Sequence, residues 1–201
     1  MHAIGDRALD IALGAYEAAS TDDTADAARG PDRIEHAFVA PGRERLERMA
    51  RLGLTLSQQP GFIESAARGY ARIFDDPFLA DWLPVASAIS AGVDVILNSD
   101  FPNAPANPFT TLRCAITRAS SDGQTAGAAE AVDIRTAFAL MTAAPDRVSG
   151  MSGRIGAIGV GRLADLFVSD EQFFDTPPDE LEGTRVRQTF VAGEPVYESN
   201  A

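Results

Sequence analysis

The chain has no lysine: its 17 basic residues are all arginines, set against 29 acidic ones. The resulting net charge of −12 favours solubility and argues against a nucleic-acid or anionic-membrane surface. Cysteine is almost absent too. A lone Cys114 excludes a disulfide framework and a cysteine-rich zinc module, and makes a reducing cytoplasm the default setting. The opening Met-His-Ala-Ile-Gly-Asp-Arg has no apolar signal-peptide core, and no unbroken apolar stretch is long enough to span a bilayer. No internal repeat is found. What is present is a chain 45% hydrophobic and 201 residues long, enough for one sizeable core or one and a half modest domains.

The most informative stretch is Val93 to Pro102, Val-Asp-Val-Ile-Leu-Asn-Ser-Asp-Phe-Pro. A short β-branched apolar run behind the helix-ending pair Ala91-Gly92 predicts a buried parallel strand with Asp100 at its carboxyl end. Barrels and open α/β sheets place their chemistry at such ends. An Asx-turn before Pro102 accounts for the same aspartate structurally, and the stretch alone favours that plainer reading.

The flanking sequence extends this pattern. A helix is expected from Arg7 to Ala19 with Asp6 as N-cap, then a polar surface loop from Ser20 to Asp32 and a strand from Arg33 to Val39. Pro41 suits the first turn of a helix running to Leu52, closed by Gly53, and Leu54 to Gln58 forms the next strand. Gln59-Pro60-Gly61 breaks it. The stretch to Asp81, with Phe62, Tyr70, Phe74 and Phe78, reads as an irregular loop folded over a site or a partner. A helix from Leu83 to Ala91 leads into the Val93 strand, and another begins near Pro108 and passes Ile116. Gly123 to Ala129 is expected to be flexible, and Asp133 to cap a helix reaching Ala143 and closed by Pro145. Strands alternating with helices indicate parallel βα units. From Gly150 the composition changes to a glycine-rich run, a strand at Ala164 to Val168, an acidic link around Thr176 to Glu182, and a hairpin of Val186 to Ala192 and Pro195 to Glu198.

The chain has two histidines: His2 just before the first helix, and His36 near the end of a strand. Imidazole suits zinc and similar divalent ions, and an ionised aspartate supplies an oxygen ligand or takes a proton from an activated water. His2, His36 and Asp100, coming from successive βα units, would meet at one end of a barrel. Equally, His36 reads as a satisfied core or loop histidine and His2 as a frayed terminus. Spacing alone leaves both readings open.

Several motifs, taken together, bring a family to mind. His2-Ala3-Ile4-Gly5-Asp6-Arg7-Ala8, Arg33-Ile34-Glu35-His36-Ala37 and Asn98-Ser99-Asp100-Phe101-Pro102 resemble, in order, the fifth, sixth and eighth barrel-strand motifs of the metal-dependent amidohydrolase superfamily. The likeness is to its N-substituted formamide deformylase-like branch, amidohydrolase family 3. Gly161 to Val168 and Val191 to Tyr197 are similar to strands of that branch's small β-sandwich. The resemblance implies an α/β chain made of part of a TIM-like (β/α)8 barrel, with strands six to eight and the end of strand five, at residues 1–149. Residues 150–201 would then be part of a small β-sandwich domain.

The same resemblance implies that His2, His36 and Asp100 bind a divalent metal, zinc in the complete enzyme, and that Asp100 also handles the proton of the attacking water. The implied substrate is a small molecule with a non-peptide amide or formamide bond, with no nucleic acid or membrane partner. The family's strand-one His-x-His has no counterpart in this chain. A lysine-free chain also cannot supply the carboxylated lysine that bridges metals in many relatives, and Gln59-Pro60 lacks the histidine that often follows in them. The expectation is therefore a truncated hydrolase, weakly active or inactive alone, completed by a missing N-terminal half or self-associating as a homo-oligomer. The alternative is a non-catalytic barrel remnant serving as an oligomerisation or partner-binding module.

Overall fold

The computed structural model describes residues 1–19, 31–39, 41–74 and 79–199. The expected Ser20 to Asp32 loop lies almost wholly outside the described residues, as does Phe78. The chain is an α/β fold with a parallel sheet of four strands in sequence order, β1 (His2–Ala3), β2 (Arg33–His36), β3 (Thr55–Gln58) and β4 (Asp94–Leu97). Register aligns His2 with Glu35, Leu56 with Ile34 and with Val95, and Gln58 with Leu97.

Two of the strands are delivered by the same device. Helix α2 (Gly42–Arg51) and helix α4 (Ala86–Ser90) each end in a glycine of positive φ, Gly53 at 64° and Gly92 at 83°. The next residue donates back to the last turn, Leu54 N–H to the Met49 carbonyl at 3.1 Å and Val93 N–H to the Ala88 carbonyl at 3.0 Å. This is the Schellman arrangement, and only glycine adopts its left-handed residue without a Cβ penalty. Each helix therefore stops and turns straight into its strand.

Helix α1 (Asp6–Ala19) packs Leu9, Ala12 and Leu13 into a core with Leu46 and Met49 of α2 and with Ile34, Leu56, Val95 and Leu97 of the sheet. Its first bond runs from Leu9 N–H to the Gly5 carbonyl, so the helix begins one residue earlier than the sequence suggests and Asp6 stands inside its first turn. Helix α5 (Pro108–Thr117) is capped by Asn107, whose side chain accepts from Phe109 N–H. Helix α6 (Ile134–Met141) is capped by Asp133 as predicted, the carboxylate accepting from Arg135 and Thr136 N–H.

Two expectations are corrected. The stretch after Gln59 is not wholly irregular: it contains helix α3 (Phe62–Tyr70), with Ile63 and Ala67 buried. Pro60-Gly61 breaks the strand but also opens this helix, whose first bonds come back to the Gln59, Pro60 and Gly61 carbonyls. Gly123 to Ala129, expected to be flexible, is tied down. The Arg118 guanidinium is fully buried and donates to the carbonyls of Ala126, Gly127 and Trp82. A short 3-10 turn at Ala128–Glu130 follows, and the Glu130 carboxylate accepts from Val85 and Ser87 N–H, which sets the start of α4 three residues later than Leu83. Burial lowers the Arg118 pKa to about 10, with the Glu130 charge opposing the shift.

The C-terminal strands β5 (Leu166–Ser169), β6 (Val186–Val191) and β7 (Glu194–Glu198) form a separate antiparallel sheet in that order, with Ala192-Gly193 making the β6–β7 turn. Between β5 and β6, Phe173 and Leu181 drop into the main core, Phe173 at 5.3 Å centroid distance from both Phe109 and Phe138. Arg113 of α5 holds this segment too, donating to the Glu182 carboxylate at 2.7 Å.

Candidate active site

His36 ends β2 in an unusual backbone conformation, φ 81°, followed by Ala37 at 47°. Left-handed backbone at two successive non-glycine residues is costly and persists only where its surroundings fix it. Here Gln58 Nε2 donates to the His36 carbonyl at 2.6 Å and Ala37 N–H donates to the Ala3 carbonyl at 2.8 Å. The turn aims the imidazole, which is 8% exposed, at the end of β1. His36 Nε2 lies 3.0 Å from His2 Nδ1, with the rings tilted by 50°. The rings of Phe38, edge-on at 5.7 Å, and Phe62, stacked at 6.3 Å, flank His36 on its apolar side.

The other imidazole nitrogen is also engaged. His36 Nδ1 lies 3.1 Å from Gln59 Oε1, while Gln59 Nε2 donates to the Ser57 carbonyl at 3.0 Å and reaches Asn98 Oδ1 at 3.5 Å. Asn98 Nδ2 donates to Ser57 Oγ at 2.7 Å, and Asn98 Oδ1 accepts from Asp100 N–H at 2.9 Å. A line of hydrogen bonds thus runs from His2 to Asp100 across the carboxyl ends of all four parallel strands. Glu35, register-paired with His2, stands at its side. Burial pushes the Glu35 carboxyl up, but hydrogen bonds from Ser57 and Arg33, with the Arg33 charge, outweigh this and hold it below the usual carboxylate range.

Asp100 lies just beyond β4 with φ 51°. Its Oδ2 accepts from Asn103 Nδ2 at 3.1 Å. The Asx-turn of this loop belongs to Asn98 rather than to Asp100. The structure therefore brings His2 and His36 into contact and sets Asp100 at the same end of the sheet, in a loop of its own. Among the described residues no group of three or more His, Cys, Asp or Glu side chains is placed to hold a metal ion. The two imidazoles fit two adjacent ligand positions, since nitrogens about 2.0–2.1 Å from a tetrahedral zinc lie roughly 3.3 Å apart. Two ring nitrogens by themselves make half a site.

Sequence reasoning missed Gln58, Gln59, Asn98 and Glu35 as parts of this arrangement. The available signal was a pair of amides, Gln58-Gln59, at the end of a strand that is otherwise buried. Cys114 is excluded as a nucleophile: burial pushes its thiol up to about 11.

The model of the Amidohydrolase family matches residues 1–197. The chain belongs to the amidohydrolase family. It is 34% identical over 203 residues to the N-substituted formamide deformylase of Arthrobacter pascens, covering 98% of this chain and 36% of that protein. It is 28% identical over 212 residues to the putative amidohydrolase YtcJ of Bacillus subtilis (strain 168), covering 100% of this chain and 37% of that one. Among solved structures, an uncharacterized metal-dependent hydrolase from Pyrococcus horikoshii OT3 superposes with a TM-score of 0.64 at 30% identity, covering 80% of this chain and 31% of the other. This amidohydrolase chain spans about a third of the length of the curated relatives it matches. Among the described residues no helix is long and apolar enough to cross a membrane.

Proposed function

We propose that the chain forms the carboxyl-terminal part of a metal-dependent hydrolase that cleaves a non-peptide amide or formamide bond of a small molecule. The observation that carries the reading is the 3.0 Å approach of its two histidines, from different strands, at one end of the parallel sheet. The likeness to a formamide deformylase supports it. In this reading β1 to β4 are the end of strand five and strands six to eight of a TIM-like barrel, residues 1–149, and residues 150–201 are part of a small β-sandwich. The setting is cytoplasmic.

His2 through Nδ1 and His36 through Nε2 would hold a divalent ion, zinc being the best match to two imidazoles, with Asp100 as a further ligand. When bound, the ion supplies Lewis acidity at the amide carbonyl. Asp100 takes the proton of the attacking water and passes it to the departing nitrogen. Phe38 and Phe62 exclude water on the apolar side of His36. Glu35 keeps a negative charge beside His2 and so favours a cation between the rings.

Because catalytic zinc sites use three protein ligands, and no three such side chains are gathered among the described residues, the chain by itself should bind the ion weakly and turn over little. The deciding experiment joins residues 1–201 to the amino-terminal portion of the Arthrobacter deformylase and measures hydrolysis of an N-substituted formamide. Turnover that disappears with Asp100→Asn and with His36→Ala supports the reading; turnover indifferent to both sinks it. A second reading, a non-catalytic module that binds another chain or a second copy, draws on β7, where Val196 is 60% and Tyr197 52% exposed. It requires the isolated chain to associate at micromolar concentration and the chimera to stay inert.

A further inference from the structure

The orientation of the buried amides can be deduced from two groups that have no choice of role. The Asp100 backbone N–H can only donate, so Asn98 presents Oδ1 to it and turns Nδ2 to Ser57 Oγ. The Ser57 backbone carbonyl can only accept, so Gln59 presents Nε2 to it, at 3.0 Å, with Asn98 Oδ1 as second acceptor. That leaves Gln59 Oε1 facing His36 Nδ1 at 3.1 Å, and an amide oxygen can only accept. Gln59 is 1% exposed and His36 8%, so water does not offer the ring nitrogen an alternative partner.

We propose that Gln59 is a positioning residue that fixes His36 as the Nδ1–H tautomer, so that its Nε2 lone pair always faces His2. His2 has no such partner among the described residues and donates its own Nδ1–H to His36 Nε2. The pair is therefore asymmetric: His36 is set in advance as an electron-pair donor, whereas His2 must release a proton from Nδ1 before that atom can do the same. The assignment concerns the protein's own hydrogen bonds, and only its zinc arm rests on the function proposed above.

The chain is well suited to a direct test, because labelling histidine with 15N lights only two rings. His2→Gln assigns them. With the rings neutral, His36 should show a protonated Nδ1 and an unprotonated Nε2, the reverse of the form that free imidazole side chains favour. Gln59→Leu should move His36 toward the Nε2–H form, and Gln59→Glu, which keeps an acceptor at that position, should preserve the native tautomer. Zn2+ added to the wild-type chain should move the His2 proton from Nδ1 to Nε2 by way of solvent and leave the one on His36. Gln59→Leu should weaken that binding by roughly tenfold to a hundredfold, as lost support of a ligand histidine does. A wild-type His36 protonated on Nε2 overturns the proposal even if no variant folds, and so does an unchanged tautomer in folded Gln59→Leu. If Zn2+ perturbs neither ring while His36 shows Nδ1–H, the metal reading fails and the role of Gln59 stands.

Discussion

β3 and β7 are short strands of four and five residues, yet every residue of β3 is buried and every residue of β7 is exposed. Hydrophobicity does not explain the contrast. β3 reads Thr-Leu-Ser-Gln, with a single large apolar side chain, whereas β7 carries Val196 and Tyr197. The difference lies in what the neighbours supply. β3 has a parallel partner on each side and a helical layer over Leu56, and its Ser57 and Gln58 side chains are enclosed because they carry hydrogen bonds of the candidate site. Ser57 serves Glu35 and Asn98, and Gln58 fixes the backbone of His36. Two of its buried oxygens, Thr55 Oγ1 and Gln58 Oε1, make no hydrogen bond among the described residues, a cost that a strand built only for stability would avoid.

Substitutions should separate the two regions sharply. Leu56→Ala, at a position with no solvent exposure, should cost about 2–5 kcal/mol of unfolding free energy, measured as a lower urea midpoint with an unchanged slope. A loss of under 1 kcal/mol there would mean that the core of the parallel sheet collapses around cavities. The next effect concerns the tie between the regions. Arg113 is 7% exposed and joins Glu64 of α3 to Glu182 ahead of β6, so Arg113→Leu should cost about 1–3 kcal/mol and speed amide exchange in β5 to β7 more than in β1 to β4.

That cost should shrink in acid. Burial alone would raise the Glu64 carboxyl, but hydrogen bonds from Ser121 and Arg113 hold it below its ordinary value. A depressed carboxylate contributes stability that is complete above its unfolded pKa of about 4.3 and disappears as pH falls through the lower folded value. Urea midpoints of the wild type and Arg113→Leu should therefore converge below about pH 4. The smallest effect is expected on the open sheet, where Val196→Ala should change stability by no more than about 0.5 kcal/mol; a larger loss would reveal a partner covering β7 in solution.

Much of this was legible in the sequence, for local reasons. Gly53 and Gly92 mark their helix ends by the one conformation that favours glycine, Asp133 marks a helix start by its reach to two backbone N–H groups, and the apolar runs at Ile34, Leu54 and Val95 give adjacent parallel strands. The histidine pair was legible because the chain has no others to confuse it. What was hidden depends on partners far apart in sequence. Gln59 looks like a strand breaker until His36 and Asn98 arrive beside it from two other strands, and Gly123 to Ala129 looks loose until Arg118 claims its carbonyls. Helix α3 was missed because Pro60-Gly61 both ends one element and starts the next.

The Arg118 knot also bears on how this chain can drift over evolutionary time. Gly127 has φ 59°, and a Cβ there would stand 2.9 Å from an Arg118 guanidinium nitrogen and 2.9 Å from the Trp82 carbonyl oxygen. Glycine at 127 is therefore held by the backbone around it as well as by the arginine. Shortening the arginine would remove only one of these contacts: the Trp82 carbonyl at 2.9 Å, the Ala80 carbonyl at 3.3 Å and the positive φ would still demand glycine at 127. Across an alignment glycine at 127 should therefore persist even in relatives that have lost the arginine at 118.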